Sequence, residues 1–332
     1  MRQFCFGLLL AIVVPSYAQV CKTWHDSSQH RIQFVTVEDG VRLEVLDWGG
    51  TGPPIVLLSG YTTAHVFDDF APQLTGFAHI YGITRRGLGS SSHPGNGYTA
   101  KQSAGDVLRV LDFLKLDRPI LAGHSFGGQD LNVIAADHPK RVAGIVYLAS
   151  AEDISLGPVT HAEIGHSASE LPEQMRHRPE PDMSSFSAYR AWQIREQGMA
   201  FPESELRQEY ACNPDGSLGE YVVSKEVRDA LFAGLTAPEY SRIQVPVLAF
   251  FALPKSLEGQ LERFRPQTIA EGAAMGLKYG LDLAWIARNE DALKRSVPRA
   301  RLVELAKGNV FVFLTNQSEV VRELHDFVVG LH

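Results

Sequence analysis

The chain is poor in cysteine, has no long basic run and has no apolar stretch long enough to cross a bilayer, and each shortage removes a class of function. Three cysteines occur in 332 residues. No Cys/His group has the spacing of a zinc motif, and no Gly-rich loop runs into Lys-Ser/Thr, so neither a metal site nor a nucleotide phosphate loop is expected. Gly87-Leu88-Gly89 lacks a third glycine and opens no helix directly, which argues against a dinucleotide, and no cofactor is expected. No Lys/Arg run exceeds a pair such as Arg85-Arg86, and the net charge is −7. Without a basic footprint the chain is not expected to bind nucleic acid. The apolar run Phe4 to Val14 falls well short of the roughly 20 residues that a spanning helix needs, so no stable membrane anchor is expected.

What is present begins with an export signature. Arg2 supplies a positive start, Phe4 to Val14 the apolar region, and Ser16-Tyr17-Ala18 a small-residue cleavage site, so residues 1–18 read as a signal peptide and the mature chain as starting at Gln19. The expected location is secreted or periplasmic. Cys5 leaves with the signal, and Cys21 and Cys212 then remain to form one disulfide in an oxidising compartment, although sequence alone cannot bring them together. A composition 45% hydrophobic and 21% charged suits a globular fold, long enough for one large α/β domain or two ordinary ones.

Hydrophobic periodicity then sets the architecture. Ile32 to Glu38 and Val41 to Trp48 alternate on either side of Asp39-Gly40, which predicts an antiparallel hairpin. Thereafter short apolar strands (Pro54 to Ser59, His79 to Thr84, Pro119 to Gly123, Val142 to Leu148) alternate with helical spacing at Val66 to Leu74, Ala104 to Leu116 and Gly127 to His138. From about Ile154 to Tyr240 the alternation breaks into Pro-rich, charged and aromatic stretches. It resumes with the strand Val245 to Phe251, a helical region Gly280 to Leu293, the strand Arg301 to Leu305 and an amphipathic helix Ser318 to Leu331. The pattern predicts a mostly parallel, doubly wound α/β sheet with an insertion. Its expected parts are a core segment 19–153, a lid 154–240 and a second core segment 241–332.

The sharpest motif is Gly123-His124-Ser125-Phe126-Gly127, a G-x-S-x-G between a predicted strand and a predicted helix. In that setting the glycines allow a tight turn, Ser125 is lifted clear of it, and the helix behind aims N–H groups at a developing negative charge. With Leu58-Ser59-Gly60-Tyr61, Arg86-Gly87-Leu88-Gly89-Ser90 and Val312-Phe313-Leu314-Thr315-Asn316, the chain resembles the α/β-hydrolase family over nearly all of its mature length. The resemblance implies an α/β-hydrolase fold, Ser125 as nucleophile, an oxyanion hole made by the backbone N–H groups of Tyr61 and Phe126, and a substrate-shaping lid. The loop Arg85 to Ser90 reads as a structural turn.

The partners of Ser125 are where the chain departs from that family. A serine hydroxyl needs a base to take its proton and a third group to orient the base. The family's histidine position, just before the last helix, falls at Val310, and no histidine occurs between His177 and His325. The acid is missing as well. After Val245 to Phe251 the chain reads Ala252-Leu253-Pro254-Lys255, and the position after the sixth strand, which members resembling haloalkane dehalogenases use, is Ala149. Asp153 is a weak candidate acid, better suited to a solvated or capping role. His65, following Gly60-Tyr61, is a weak candidate substitute base, and His124 is expected to point into the sheet with a hydrogen-bonded packing role. His93, His161 and His166 read as loop or lid histidines.

Two functions remain open on these residues. One is a serine hydrolase of ester-like or other acyl substrates, impaired by Val310. The other is a catalytically inactive pseudohydrolase that holds a small apolar ligand or a protein partner in an aromatic lid pocket. Either way the expected partner is a small-molecule substrate or ligand, with the oligomeric state undetermined.

Overall fold

The computed structural model describes residues 21, 24–153, 169–177 and 179–331. Strands β1 (Arg31–Glu38) and β2 (Val41–Gly50) form the expected antiparallel hairpin, and Gly40 takes the positive φ of 72° that its turn requires. β3 (Pro54–Leu58), β4 (His79–Ile83), β5 (Ile120–His124) and β6 (Gly144–Leu148) follow. A two-stranded hairpin, β7 (Tyr210–Cys212) with β8 (Leu218–Tyr221), comes next, then β9 (Val247–Ala252) and β10 (Arg301–Leu305). Eight of these form one sheet in the order β1-β2-β4-β3-β5-β6-β9-β10, antiparallel through β2 and parallel from β4 onward.

Burial explains why the central strands are continuous apolar runs. All five residues of β5 and of β6 are buried, because helices cover both faces of the parallel part. One core contains Leu57, Phe67, Leu148, Phe250 and Phe313, and the other Val56, Val110, Leu131, Tyr147 and Phe251. Adjacent residues of a strand thus serve opposite cores, which is the period-two rule acting on a sheet buried on both sides.

Three elements differ from the sequence expectation. The helix expected over Ala104 to Leu116 spans Ala100–Phe113, because the Thr99 side chain caps it by accepting from Gln102 N. The helical spacing of Val66 to Leu74 is realised as two 3₁₀ turns, Ala64–Phe67 and Ala71–Leu74, with Pro72 inside the second where its missing N–H does no harm. The region Gly280 to Leu293 is the later part of a single helix Ile269–Ser296, which opens on a capping box between Thr268 and Glu271.

Within the expected lid, residues 154–168, with His161 and His166, lie outside the described residues. The remainder contributes the helices Phe186–Gln197, Glu203–Glu209 and Lys225–Ala233 and the β7–β8 hairpin. Cys21 and Cys212 are joined as a disulfide with Cα atoms 6.0 Å apart, which fastens the start of the described chain to β7. No helix among the described residues is long and apolar enough to cross a membrane.

Candidate active site

Ser125 stands one residue beyond the end of β5, at the centre of the sheet, with φ at 51°. A non-glycine residue in the left-handed region is strained, and here the strain is held by close backbone packing. A Cβ on Gly123 would come within 2.6 Å of Gly127 C, and one on Gly127 within 2.3 Å of Leu58 O, so both flanks of the turn must be glycine. The helix Gly127–Asp137 begins directly behind.

The loop after β3 lies over this elbow. A Cβ on Gly60 would fall 2.8 Å from Ser125 Oγ and 2.9 Å from Phe126 N, so the chain at Gly60 passes close over the hydroxyl, one residue before Tyr61. Among the described residues neither Tyr61 N nor Phe126 N is engaged in a hydrogen bond. Two unspent donors beside a lifted serine have the composition of an oxyanion hole. The Tyr61 ring leans on Phe126, Tyr221 and Phe232, which form an aromatic wall contributed partly by the cap.

What Ser125 lacks is a partner: among the described residues no hydrogen bond reaches its Oγ. Val310 is 47% exposed and lines a cavity of about 910 Å³, and Ala149 lines the same cavity. No histidine is among the residues lining it. Ala149 itself holds a φ of 50°, a conformation that aspartate and asparagine tolerate better than alanine does. The cavity wall is mixed. Trp285, Ile286 and Phe311 give it an apolar side, and Lys255, Arg263 and Lys307 stand exposed around it.

The other sequence candidates go elsewhere. His65 is buried, its Nδ1 3.2 Å from Asp68 Oδ2 and its Nε2 3.5 Å from Glu44 Oε1. Burial alone would lower its pKa, but the hydrogen bonds and charges of Asp68 and Glu44 outweigh it and push it up to about 10. Both nitrogens of the ring face carboxylates, and among the described residues no hydrogen bond joins His65 to Ser125. His124 does point away into the core, where the Val310 backbone offers its ring a hydrogen bond and two phenyl rings pack against it. Its ring lies 4.7 Å from Phe311 and 5.2 Å from Phe313. Burial holds its pKa down at about 4.

The Asp153 backbone N–H donates to Asn289 Oδ1 at 3.0 Å, and Asp153 is not among the residues lining the cavity. Its neighbour Glu152 is, and burial raises that carboxyl against the hydrogen bond from Trp285. Sequence reasoning passed over Glu152, and only its adjacency to Asp153 could have drawn attention to it. Arg85 and Arg86 confirm the structural reading of their loop: Arg85 binds Ser103 and Asp130, and Arg86 binds Asp106 with both Nε and Nη2.

Comparison with known proteins places this geometry. A family profile described as alpha/beta hydrolase family matches residues 55–323. The non-heme chloroperoxidase of Streptomyces lividans is 30% identical over 135 residues, which are 39% of this chain and 48% of that protein. Haloalkane dehalogenase 2 of Mycobacterium tuberculosis is 31% identical over 125 residues, 37% of this chain and 40% of that protein. The matched stretches span less than half the length of these curated relatives. Among solved structures, E-2-(acetamidomethylene)succinate hydrolase superposes with a TM-score of 0.62 at 19% identity, over 90% of this chain and 99% of that one. The enol-lactonase of Burkholderia xenovorans LB400 superposes at 0.55 and 18%, over 90% and 100%. At such identities the structural likeness concerns the fold.

Proposed function

The chain belongs to the alpha/beta hydrolase family, and we propose that within it the protein binds a small amphiphilic molecule in the cavity beside Ala149 and Val310 without triad chemistry. One observation carries this reading: Ser125 Oγ has no hydrogen-bonded partner among the described residues, while the two positions where a base and its orienting acid are expected are an alanine and a valine lining a cavity. The volume suits a small molecule. The apolar wall favours a ligand with an apolar body, and the charged groups around it, Lys255, Arg263 and Lys307 with Glu152, Glu196 and Asp282, favour a polar group on that ligand.

A second reading, a slow serine hydrolase of ester-like or other acyl substrates, is favoured by the intact strain at Ser125 and the unspent N–H groups of Tyr61 and Phe126. In a serine protease, loss of the histidine costs about 10⁶ in turnover, and the oxyanion hole and binding retain about 10³ to 10⁴ over water. Labelling with a fluorophosphonate separates the two readings. The expected outcome is labelling of the folded protein no faster than that of Ser125→Ala, with a gain of at least about 100-fold when Ala149→Asp and Val310→His are made together. Val310→His alone is expected to gain little, because an imidazole without its acid samples the wrong tautomer. Rapid labelling of the unmodified protein, lost in Ser125→Ala, would sink the binding reading and establish an active serine.

The disulfide between Cys21 and Cys212 supports an oxidising compartment, and with it removal of residues 1–18 on export. The mass of the mature protein recovered from its native host tests this: a chain starting at Gln19 is expected, and an intact Met1 in the cytosol would refute it.

A further inference from the structure

The most concentrated chemistry among the described residues lies away from the cavity, where Asp26, His30, His65 and Asp68 converge. Each offers one donor atom, and these atoms lie within 4.8 Å of one another. We propose that this cluster is a binding site for one divalent metal ion, with a two-imidazole, two-carboxylate donor set that suits zinc.

The spacing supports it. Donors about 2.0 to 2.1 Å from a tetrahedral zinc stand roughly 3.4 Å from each other. His30 Nε2 is 3.7 Å and His65 Nδ1 3.8 Å from Asp26 Oδ2, and His65 Nδ1 is 3.2 Å from Asp68 Oδ2. These separations bracket the required value; His30 Nδ1 is also hydrogen-bonded to Asp68 Oδ1 at 2.8 Å, which leaves His30 Nε2 and Asp68 Oδ2 as the donor atoms turned to the ion. The side chains of His30, His65 and Asp68 are 3%, 3% and 2% exposed, whereas Asp26 is 26% exposed and gives the ion access from solvent.

A surrounding set of bonds already orients the donors. His65 turns its other nitrogen toward Glu44 Oε1 at 3.5 Å, and Glu44 is fixed in turn by Thr84, whose hydroxyl donates to Oε2 at 2.8 Å. Trp48 Nε1 and Ser204 Oγ donate to Asp68 at 3.1 and 2.5 Å. A carboxylate behind a ligating histidine is the arrangement that fixes ring orientation at metal sites. Charge points the same way. Among the described residues no Lys or Arg pairs with Asp26, Glu44 or Asp68, so the only cationic partners of these three carboxylates are the two histidines, whose protons a dication would displace. The ion would clasp the segment before β1 to the turn after β3, with Ser204 of the cap bound to the same aspartate. This site is independent of the ligand cavity and of whether Ser125 reacts.

The test is metal analysis of the full chain, stripped with chelator and dialysed against zinc chloride, beside the variants Asp26→Asn and His30→Gln. About one zinc per chain is expected in the parent, with at least a tenfold loss of affinity in each variant. Because Asp26 is partly exposed, Asp26→Asn keeps the fold, and circular dichroism checks this. Cobalt(II) added to the stripped parent should give the intense visible bands of a tetrahedral site, absent from Asp26→Asn. Failure of the parent to retain zinc, or equal retention by a folded Asp26→Asn, overturns the proposal.

Discussion

His124 is the residue whose environment has the clearest thermodynamic consequence. It is buried between Phe311 and Phe313, and burial holds its pKa down at about 4 against an ordinary value near 6.5. A histidine kept neutral by folding stabilises the protein above its unfolded pKa, and that contribution is lost as pH falls from about 6.5 toward 4. The loss should reach about 3 kcal/mol at pH 4. In denaturant unfolding at pH 7 and pH 4, His124→Phe is expected to remove most of that dependence while keeping the stack on Phe311. An unchanged pH profile in the variant would contradict the assignment. Gly60 makes a second prediction at the same scale. A methyl there would meet Ser125 Oγ at 2.8 Å, so Gly60→Ala should abolish any fluorophosphonate labelling seen in the restored Ala149→Asp/Val310→His protein.

At the scale of elements, the helix Glu203–Glu209 is what locks the cap to the core. Glu205 is fully buried and accepts from Thr63 N at 2.9 Å and Thr63 Oγ1 at 2.5 Å, and Ser204 donates to Asp68. Burial pushes the Glu205 carboxyl up to about 7, and burial with the charge of Glu205 raises Glu209 as well, so the pair retains a proton near neutrality. Thr63→Val removes one donor from this buried acceptor and should cost about 1 to 3 kcal/mol in urea unfolding. A change under about 0.5 kcal/mol would mean the cap is held by packing alone.

Much of the element layout was legible because period-two and continuous apolar runs report burial directly: the limits of β10 agree residue for residue, and Ser125 falls at the expected strand-to-helix turn. What was not legible has physical causes. Only Gly280 to Leu293 is expected to be helical, yet Gly272, Gly276 and Gly280 all sit inside one long helix whose start the Thr268-Glu271 box marks. The Asp26, His30, His65 and Asp68 cluster draws on two stretches separated by β1, β2 and β3, so no local spacing announces it. The vacated partner positions were readable as Val310 and Ala149, but that both line a single cavity depends on the order β6-β9-β10, a property of the sheet rather than of either segment.

For the whole molecule, the disulfide is a covalent tie between residues 191 apart in sequence. Closing so long a loop removes unfolded-state freedom worth about 2 to 5 kcal/mol. Reduction, or Cys21→Ser with Cys212→Ser, should therefore lower the melting temperature by several degrees, and equal melting of both forms would show that the tie adds nothing to stability. The same bond also decides what a protease can release. A single cut anywhere between Cys21 and Cys212, the cap before β7 included, leaves two fragments that migrate as one band on a non-reducing gel, whereas a cut between Cys212 and β9 frees a carboxy-terminal piece carrying β9, β10 and Val310.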